Sequence, residues 1–348
     1  MNIFISEKNF IHNINLLKLK YNKDIIPVIK ANAYGHDIKI ISKLLLKYKI
    51  NICAVARIFE ALEILKHINY DKNFKILIFE SIESNYLKEI INNSQLLISA
   101  NSLEDLSLYL KSGISSNQIQ LKIDFGFGRN GIFYKNIDVL RNLIIKSNLK
   151  FSGIFTHLFS VEYEDGIKII NNFTEIVKEL GKDNFQMIHL QNSLGITRYG
   201  SIPISTHLRP GMFVFGFYEE GAFENNLQKV FSLKGKIINI RDISSLKYLT
   251  YNLKKNLPMT LSKVAIIKIG YGDGFLKINE GSFALINNRQ FKIISVMMDT
   301  TLIEVDDSVC INDSVQLYYD FSSTRNYLKM NMCEVLSILS NKIPRILI

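Results

Sequence analysis

Short apolar runs alternate with longer amphipathic segments along the first two thirds of the sequence, and this alternation constrains the fold more than any other feature. There are eight such runs, the last of them weak: Ile25–Ile29, Ile52–Val55, Lys75–Phe79, Leu96–Ser99, Gln120–Asp124, Ser152–Thr156, Phe185–Leu190 and Thr206–Arg209. Short stretches of continuous apolar character are typical of strands that are buried on both faces. The sequence therefore predicts parallel strands that are connected by helices.

The segments between these runs have the period of amphipathic helices. They are Asp37–Leu46, Phe59–His67, Asn85–Ile91, Leu103–Leu110, Asn136–Ile145 and Gly166–Leu180. Eight strands that alternate with helices over about 210 residues predict an α/β fold of the (β/α)₈ TIM-barrel type. A doubly wound sheet is the alternative, but no glycine-rich phosphate fingerprint follows the first strand, which disfavours it.

The pattern changes near Val230. From "VFSLKGKIINI" onward the apolar runs are short and alternate with polar residues, and turn pairs such as Asn287-Asn288 separate them. This pattern is typical of antiparallel strands. We therefore predict two domains, a barrel over residues 1–229 and a mainly antiparallel β domain over residues 230–348.

Composition narrows the class of protein. The 348 residues are 47% hydrophobic and 21% charged, which indicates a globular chain, and no apolar run is long enough for a membrane span. The net charge of +10 raises the possibility of nucleic-acid binding, but the lysines are scattered and no basic run is interleaved with aromatic residues. Three scattered cysteines suit a reducing compartment. We expect a cytoplasmic protein with no metal, membrane or nucleic-acid partner.

The active site of a barrel forms at the carboxyl ends of its strands, and this rule collects a set of polar residues. They are Lys30, Asp124, Arg129, His157, His189, Asn192, Ser193, Arg209 and Gly211. A set rich in cations and hydrogen-bond donors suits an anionic ligand. Desolvation lowers the pKa of an amine at a strand end, and a neutral amine can add to an aldehyde. These residues alone indicate a phosphate-bearing aldehyde or a sugar phosphate as the ligand.

Seven segments, in order along almost the whole chain, resemble the alanine racemase family. "VIKANAYGHD" (28–37) is similar to the family's pyridoxal-phosphate attachment segment. The others are "LKIDFGFGRNGI" (121–132), "GIFTHL" (153–158), "HLQNSLGI" (189–196), "LRPGMFVFGFY" (208–218), "IIKIGYGDGF" (266–275) and "VMMD" (296–299). The resemblance implies a fold type III pyridoxal 5'-phosphate enzyme, with a barrel followed by a β domain. It also implies an isomerase that supplies D-alanine for peptidoglycan synthesis.

The resemblance assigns two catalytic residues. Lys30 would hold pyridoxal 5'-phosphate as an aldimine and would act as one acid–base group, and Tyr271 would act as the other. Racemisation needs two opposed groups, because one removes the α-proton and the other delivers a proton to the opposite face. In the family this tyrosine comes from the partner subunit, so the resemblance implies a homodimer with shared active sites.

Further residues receive roles from the same resemblance. Arg209 would face the pyridine nitrogen and keep it unprotonated, which weakens the ring as an electron sink and favours racemisation. His157 and His189 would connect Arg209 to Tyr271. Tyr34, Ser193, Gly211 and Met212 would bind the cofactor phosphate. Arg129 and the Met298 backbone would bind the substrate. Asn192 and Lys122 would support these residues, and the family often carries the lysine as N6-carboxylysine.

Three positions depart from the family pattern. Cys333 stands where the family has a tyrosine that narrows the substrate pocket, Phe125 replaces a threonine, and Gly272 replaces an alanine. A wider pocket would relax the choice of side chain, so a broader amino-acid racemase that accepts serine is the nearest alternative. A non-catalytic pyridoxal-phosphate carrier is the second alternative, and a nucleic-acid binder is the third.

Overall fold

The computed structural model describes residues 1–68, 71–159, 162–218, 226–246, 248–250 and 262–348. The chain divides into two units. The barrel unit contains residues 9–33 and 38–228, and the β unit contains residues 1–8, 34–37 and 229–348. This division differs from the predicted boundary at 229/230, because the first strand of the chain, Asn2–Ile5, pairs with Phe231–Lys236.

The barrel unit contains the predicted parallel strands. In chain order they are β2 (Asp24–Ile25), β3 (Ile52–Val55), β4 (Lys75–Ile78), β5 (Leu96–Ala100), β6 (Ile119–Asp124), β8 (Phe151–Phe155), β9 (Phe185–His189) and β10 (His207–Leu208). The first strand of the chain, β1 (Asn2–Ile5), belongs to the β unit, and the short strand β7 (Ile132–Phe133) pairs with β6. The strands β3, β4, β5, β6, β8 and β9 pair in that order, and β10 pairs with β2. Backbone hydrogen bonds from Thr206 N to Ile188 O and from Ile29 N to Ala54 O continue the ring at both ends. The barrel prediction is therefore confirmed.

Helices cover the outside of these strands, because one face of each helix is apolar and packs against the sheet. The helices are Glu7–Tyr21, Ile38–Lys47, Ile58–Ile68, Leu87–Asn92, Leu103–Lys111, Ile137–Ser147, Tyr163–Glu179 and Ser193–Tyr199. Tyr163–Glu179 buries Ile169, Phe173, Ile176 and Val177, which recur at helical spacing. In the described part of the chain, no helix is both long enough and apolar enough to cross a bilayer.

The first barrel strand is shorter than predicted. Regular pairing covers only Asp24–Ile25, although Val28 forms a parallel bridge with Ala54. Pro27 lies between them and has no backbone N–H to donate to a neighbouring strand. The proline therefore interrupts the ladder just before the polar segment that begins at Lys30.

The β unit is mainly antiparallel, as predicted. Its strands after β1 are β11 (Phe231–Lys236), β12 (Asn239–Asp242), β13 (Lys263–Ile267), β14 (Phe283–Ile286), β15 (Arg289–Val296), β16 (Thr301–Val305), β17 (Ser314–Leu317) and β18 (Arg345–Leu347). They form one sheet in the order β12-β13-β16-β15-β14-β17-β11-β1-β18. The helices Phe321–Leu328 and Met332–Ser337 follow β17. Alternating burial along strands such as β11 matches a sheet with one covered face.

Candidate active site

A left-handed turn follows the first barrel strand. Ala31, Asn32, Ala33 and Tyr34 have φ values of 52°, 52°, 54° and 53°, in the region that L-residues avoid. Each such residue costs about 1–2 kcal/mol of conformational free energy, so surrounding contacts must hold the turn in place. Lys30 immediately precedes the turn and is half-buried. The turn therefore fixes where the lysine leaves the barrel strand.

Glu60 is one residue that holds this turn, and the sequence did not predict it. Its carboxylate accepts hydrogen bonds from Ala31 N at 2.5 Å, Ala56 N at 2.9 Å and Arg57 N at 3.1 Å. The bond to Arg57 N is half of a capping box at the start of Ile58–Ile68. The other oxygen of this capping glutamate therefore anchors the backbone next to Lys30.

Replacement of Glu60 by alanine should lower the free energy of unfolding by about 3 kcal/mol, because buried backbone N–H groups would lose their acceptor. Urea unfolding of the purified protein measures this change. Glu63→Ala is the matched control, since Glu63 lies on the same helix and makes an exposed pair with Lys66 and a partly buried one with His67. The control should cost less than about 1 kcal/mol. Equal losses in the two variants would contradict an anchoring role for Glu60.

Four cations of the barrel unit lie close enough to His157 to act on its charge. Burial, followed by the positive charges of Arg209, Arg129, Lys122 and Lys30, lowers the pKa of His157 to about 3. The imidazole is therefore neutral at physiological pH. The structure thus brings together five of the predicted site residues: Lys122 lies within β6, and the other four follow the carboxyl ends of barrel strands.

Lys122 lies among the same charges. Burial, followed by the positive charges of Arg129 and Arg209, lowers its pKa to about 8, and the negative charge of Asp124 partly opposes this shift. Register places Lys122 on β6 beside Phe155 on β8, which is beside His189 on β9. A substantial fraction of this amine is neutral near pH 8, in contrast to an ordinary lysine.

Arg129 stands on a loop that Asp124 organises. The Asp124 carboxylate accepts from Phe127 N at 3.1 Å and from Gly128 N at 3.4 Å. The guanidinium carbon of Arg129 lies 4.7 Å from the centre of the Phe127 ring, which itself lies 5.2 Å from the His157 ring. Phe127 therefore contacts both of these predicted site residues, with its ring tilted by 60° from that of His157.

Arg209 is almost fully buried and its orientation is fixed by several acceptors. Its Nη1 donates to His189 Nδ1 and to His189 O at 2.8 Å, and its Nη2 donates to Thr156 O at 2.7 Å and to Leu190 O at 3.3 Å. These bonds use the four Nη hydrogens, so among the described residues only the Nε–H has no acceptor. Burial lowers the pKa of Arg209 to about 9, and the group stays charged at pH 7.

The loops after β9 and β10 lie next to each other. Ser193 Oγ accepts from Phe213 N at 3.3 Å, and Gly211 and Met212 begin the short 3₁₀ helix that contains Phe213. Asn192 caps Ser193–Tyr199, because its side chain accepts from Gly195 N at 2.8 Å. The predicted residues Ser193, Gly211 and Met212 therefore form one group, and Asn192 supports it as a helix cap.

Tyr271 and Met298 lie together in the β unit. Tyr271 N donates to Met297 O at 2.9 Å and Gly272 N donates to Met298 O at 2.8 Å, so the two segments are in backbone contact. A Cβ atom at position 272 would lie 2.9 Å from Met298 O, which is too close, and this explains why glycine stands there. Tyr271 is 37% exposed and Met298 is 61% exposed. Both side chains are therefore accessible on the surface of this unit.

Tyr34 also belongs to the β unit, next to the helix that carries Cys333. Gly35 has a φ of +82°, and a Cβ atom there would lie 2.2 Å from Leu336 O. The helix Met332–Ser337 therefore packs directly against the backbone that follows Tyr34. Glu334 caps that helix with Asn331.

Comparisons with known proteins identify the family of the chain. Residues 5–219 match the family described as "Alanine racemase, N-terminal domain", and residues 230–347 match "Alanine racemase, C-terminal domain". The chain is similar to an alanine racemase of Fusobacterium nucleatum (29% identity over 360 residues, 99% of each chain) and to one of Borreliella burgdorferi (32% over 322 residues, 87% of this chain and 84% of the relative).

Solved structures give the same result. The alanine racemase of Clostridium difficile 630 superposes with a TM-score of 0.86 at 25% identity, over 100% of this chain and 95% of the other. The alanine racemase of E. faecalis superposes with a TM-score of 0.88 at 20% identity, over 100% and 98% of the two chains, and supports the fold alone.

Proposed function

The chain belongs to the alanine racemase family, and from this premise we propose that it interconverts L-alanine and D-alanine with pyridoxal 5'-phosphate held on Lys30. The observation that carries the proposal is the group of cations Lys30, Lys122, Arg129 and Arg209 around His157. Such a group fits a ligand set with two anions, the cofactor phosphate and the amino-acid carboxylate. When bound, the cofactor supplies an electron sink for the negative charge that deprotonation leaves on Cα.

Two residues of the chain move the proton. Lys30 and Tyr271 would approach Cα from opposite faces, so that one accepts the proton and the other returns one to the opposite side. We propose that Tyr271 comes from a second copy of the chain, which makes the active enzyme a homodimer. The exposure of Tyr271 and Met298 on the β unit supports this, because both side chains are accessible to a partner.

The remaining residues bind and orient the ligands. Ser193 and the Gly211 and Met212 backbone would hold the phosphate, with Tyr34 assisting, and this agrees with the phosphate position common to barrels after strands seven and eight. Arg129 and the Met298 backbone would hold the substrate carboxylate. Arg209 would present its Nε–H to the pyridine nitrogen, and a guanidinium, which keeps its protons, leaves that nitrogen unprotonated.

We also propose that Lys122 reacts with carbon dioxide. The neutral amine attacks the carbon, one proton leaves the nitrogen, and the product is a carbamate anion. The lowered pKa of about 8 supplies the neutral amine, and the charges of Arg129 and Arg209, which oppose the ammonium form, would stabilise the anion.

The carbamate on Lys122 should form at pH 8 and decline as the pH falls towards 6, because protonation removes the nucleophilic lone pair. Carbon-13 NMR of the enzyme in labelled bicarbonate measures it. Lys122→Arg, which keeps a cation, should lack the signal, and exposed Lys43→Ala should retain it. A signal of equal size in Lys122→Arg would place the modification elsewhere, and no signal at pH 8 would refute it.

Cys333 bears on the range of amino acids that the enzyme accepts. A broader amino-acid racemase is favoured by one observation, Cys333 on a helix that packs against the segment after Tyr34. Removal of a ring from a small pocket reduces discrimination by about 1–3 kcal/mol per methylene-sized difference. The leading proposal nevertheless remains alanine, since the chain's relatives are named for it.

Racemisation of L-alanine and L-serine, each measured by circular dichroism with the cofactor-loaded enzyme, tests the proposal. We expect alanine to be the better substrate by kcat/KM. Faster turnover of serine would establish the broader racemase instead. Turnover of neither substrate would support the non-catalytic pyridoxal-phosphate carrier.

We propose finally that the enzyme works in the cytoplasm and supplies D-alanine for peptidoglycan. Its three cysteines are scattered along the chain, which suits a reducing compartment. Loss of the gene should make growth depend on added D-alanine. Growth that is unaffected by the loss would contradict this role.

A further inference from the structure

Gln120 lies in the barrel interior, outside the set of residues to which the proposed function gives roles. It is fully buried, and its Oε1 lies 2.7 Å from Nε2 of His189, which is also fully buried. His189 is in turn bonded through Nδ1 to Arg209. The three side chains form a continuous row, Gln120–His189–Arg209, inside one unit.

The chemistry of the row determines where the proton of His189 lies. A guanidinium has only donors, so Nδ1 of His189 must offer a lone pair to Arg209. A neutral imidazole with an unprotonated Nδ1 carries its hydrogen on Nε2. Among the described residues, the carbonyl oxygen of the Gln120 amide is the group placed to accept this hydrogen. The Gln120 Nε2 then faces Met187 Sδ, 3.9 Å away.

Neighbouring residues are arranged to admit the Gln120 side chain. Register aligns Gln120 on β6 with Gly153 on β8, and Gly153 with Met187 on β9. A Cβ atom at Gly153 would lie 3.1 Å from Gln120 Cδ and 2.6 Å from Met187 O. A side chain at position 153 would therefore clash with the Met187 backbone and crowd the Gln120 amide.

The His189 ring is held on its face as well as at its edges. It stacks on Phe155 with centroids 4.9 Å apart and an angle of 14° between the planes. The guanidinium of Arg209 lies 5.1 Å from the centre of the same Phe155 ring. Gln120 thus completes a site in which the imidazole has one tautomer and one orientation.

We propose that Gln120 is a positioning residue, which fixes His189 as the neutral Nε2–H tautomer so that its Nδ1 holds Arg209 in place. In the protonated ring, Nδ1–H would point at the donors of Arg209 and push the guanidinium away. Gln120 accepts a hydrogen bond but carries no charge, so it does not favour the protonated ring. The inference about the His189 tautomer is independent of the proposed function. Its consequence for the reaction rests on the proposed role of Arg209 towards the cofactor.

Nitrogen-15 NMR of histidine-labelled, cofactor-loaded enzyme tests the tautomer directly. The chain has six histidines, and comparison with His189→Gln identifies the signal of His189. We expect one neutral ring that is protonated on Nε2 and does not titrate between about pH 6 and 8, in agreement with the lowered pKa that burial gives this residue. A ring protonated on Nδ1, or on both nitrogens, would overturn the proposal.

Variants of Gln120 test the consequence for Arg209. In Gln120→Glu the carboxylate should stabilise the imidazolium, so both nitrogens of His189 become protonated and the ratio of racemisation to transamination falls at least tenfold. In Gln120→Met the ring should remain neutral, but its Nε2–H should exchange with water faster. An unchanged ratio and unchanged His189 signals in Gln120→Glu would refute the role.

Gln118→Met is the matched control. Gln118 is a buried glutamine two residues earlier, and its amide donates to the carbonyl oxygens of Ile90, Asn93 and Leu96. This control should lower stability without changing the His189 signals or the product ratio. The tautomer measurement also separates this inference from the proposed function, because a protein that fails to bind the cofactor on Lys30 would still report the state of His189.

Discussion

Replacement of Lys30 by alanine should reduce racemisation of alanine at least about 10⁴-fold, the upper end of what loss of one acid–base group costs, because the covalent anchor of the cofactor is lost as well. The purified variant should also lack the absorbance of bound pyridoxal phosphate. Both quantities are measured on the same preparation, by circular dichroism of the substrate and by absorbance of the protein.

Lys43→Ala is the control for this variant. Lys43 is exposed on the helix Ile38–Lys47, a few residues beyond the left-handed turn, so its loss removes a lysine without touching the site. The control should retain cofactor and activity. A Lys30→Ala protein with more than a tenth of the original racemisation rate would show that another amine holds the cofactor.

Replacement of Tyr271 by phenylalanine should reduce racemisation about 10²–10⁴-fold while the cofactor remains bound to Lys30. The change removes one hydroxyl and keeps the ring, so packing of the turn against Met298 should survive. Because the two groups act on opposite faces of Cα, exchange of the α-proton with solvent deuterium should be lost mainly from one enantiomer. Proton NMR of each enantiomer in deuterium oxide measures the two exchange rates separately.

Tyr327→Phe provides the comparison in the same unit. Tyr327 is 45% exposed and donates to Glu280 O at 2.7 Å, so this variant also loses one hydroxyl from a partly exposed tyrosine. It should retain full activity. Full racemisation from L-alanine by Tyr271→Phe would refute the two-base assignment, and equal losses in both variants would indicate a general effect on the β unit.

The barrel could be predicted because its strands are buried on both faces and therefore read as continuous apolar runs. The predicted run Ile52–Val55 coincides with β3, and the others differ from their strands by one or a few residues. The helix Glu7–Tyr21 was not predicted. Its buried face includes Asn13, which bonds to Val214 O and to Gln228, and this polar residue interrupts the apolar stripe.

The entry of β1 into the β unit was also missed. Nothing in the four residues Asn2–Ile5 indicates a partner more than two hundred positions away, because pairing between distant strands depends on the folded sheet and not on local pattern. The break in the first barrel strand could have been predicted from Pro27, which has no backbone N–H to donate to a neighbouring strand.

Lys30, Arg129 and Arg209 followed from the rule that barrel sites form at the carboxyl ends of strands, and Lys122 followed from the family resemblance. Glu60 and Gln120 were missed because neither stands at such an end. Gln120 could have been found, since it lies two residues before Lys122 on the same strand and therefore on the same face. The position of Glu60 in the first turn of its helix indicates only a capping role. Its contact with Ala31 N, in the turn after Lys30, depends on the folded structure.

Borohydride reduction of the purified protein, followed by peptide mapping, identifies the lysine that holds the cofactor, because reduction makes the bond between the cofactor and its amine permanent. We expect one pyridoxyl group per chain, on the peptide that contains Lys30. A pyridoxyl group on Lys122 or on any other lysine, or an active enzyme with no modified peptide, would contradict this expectation.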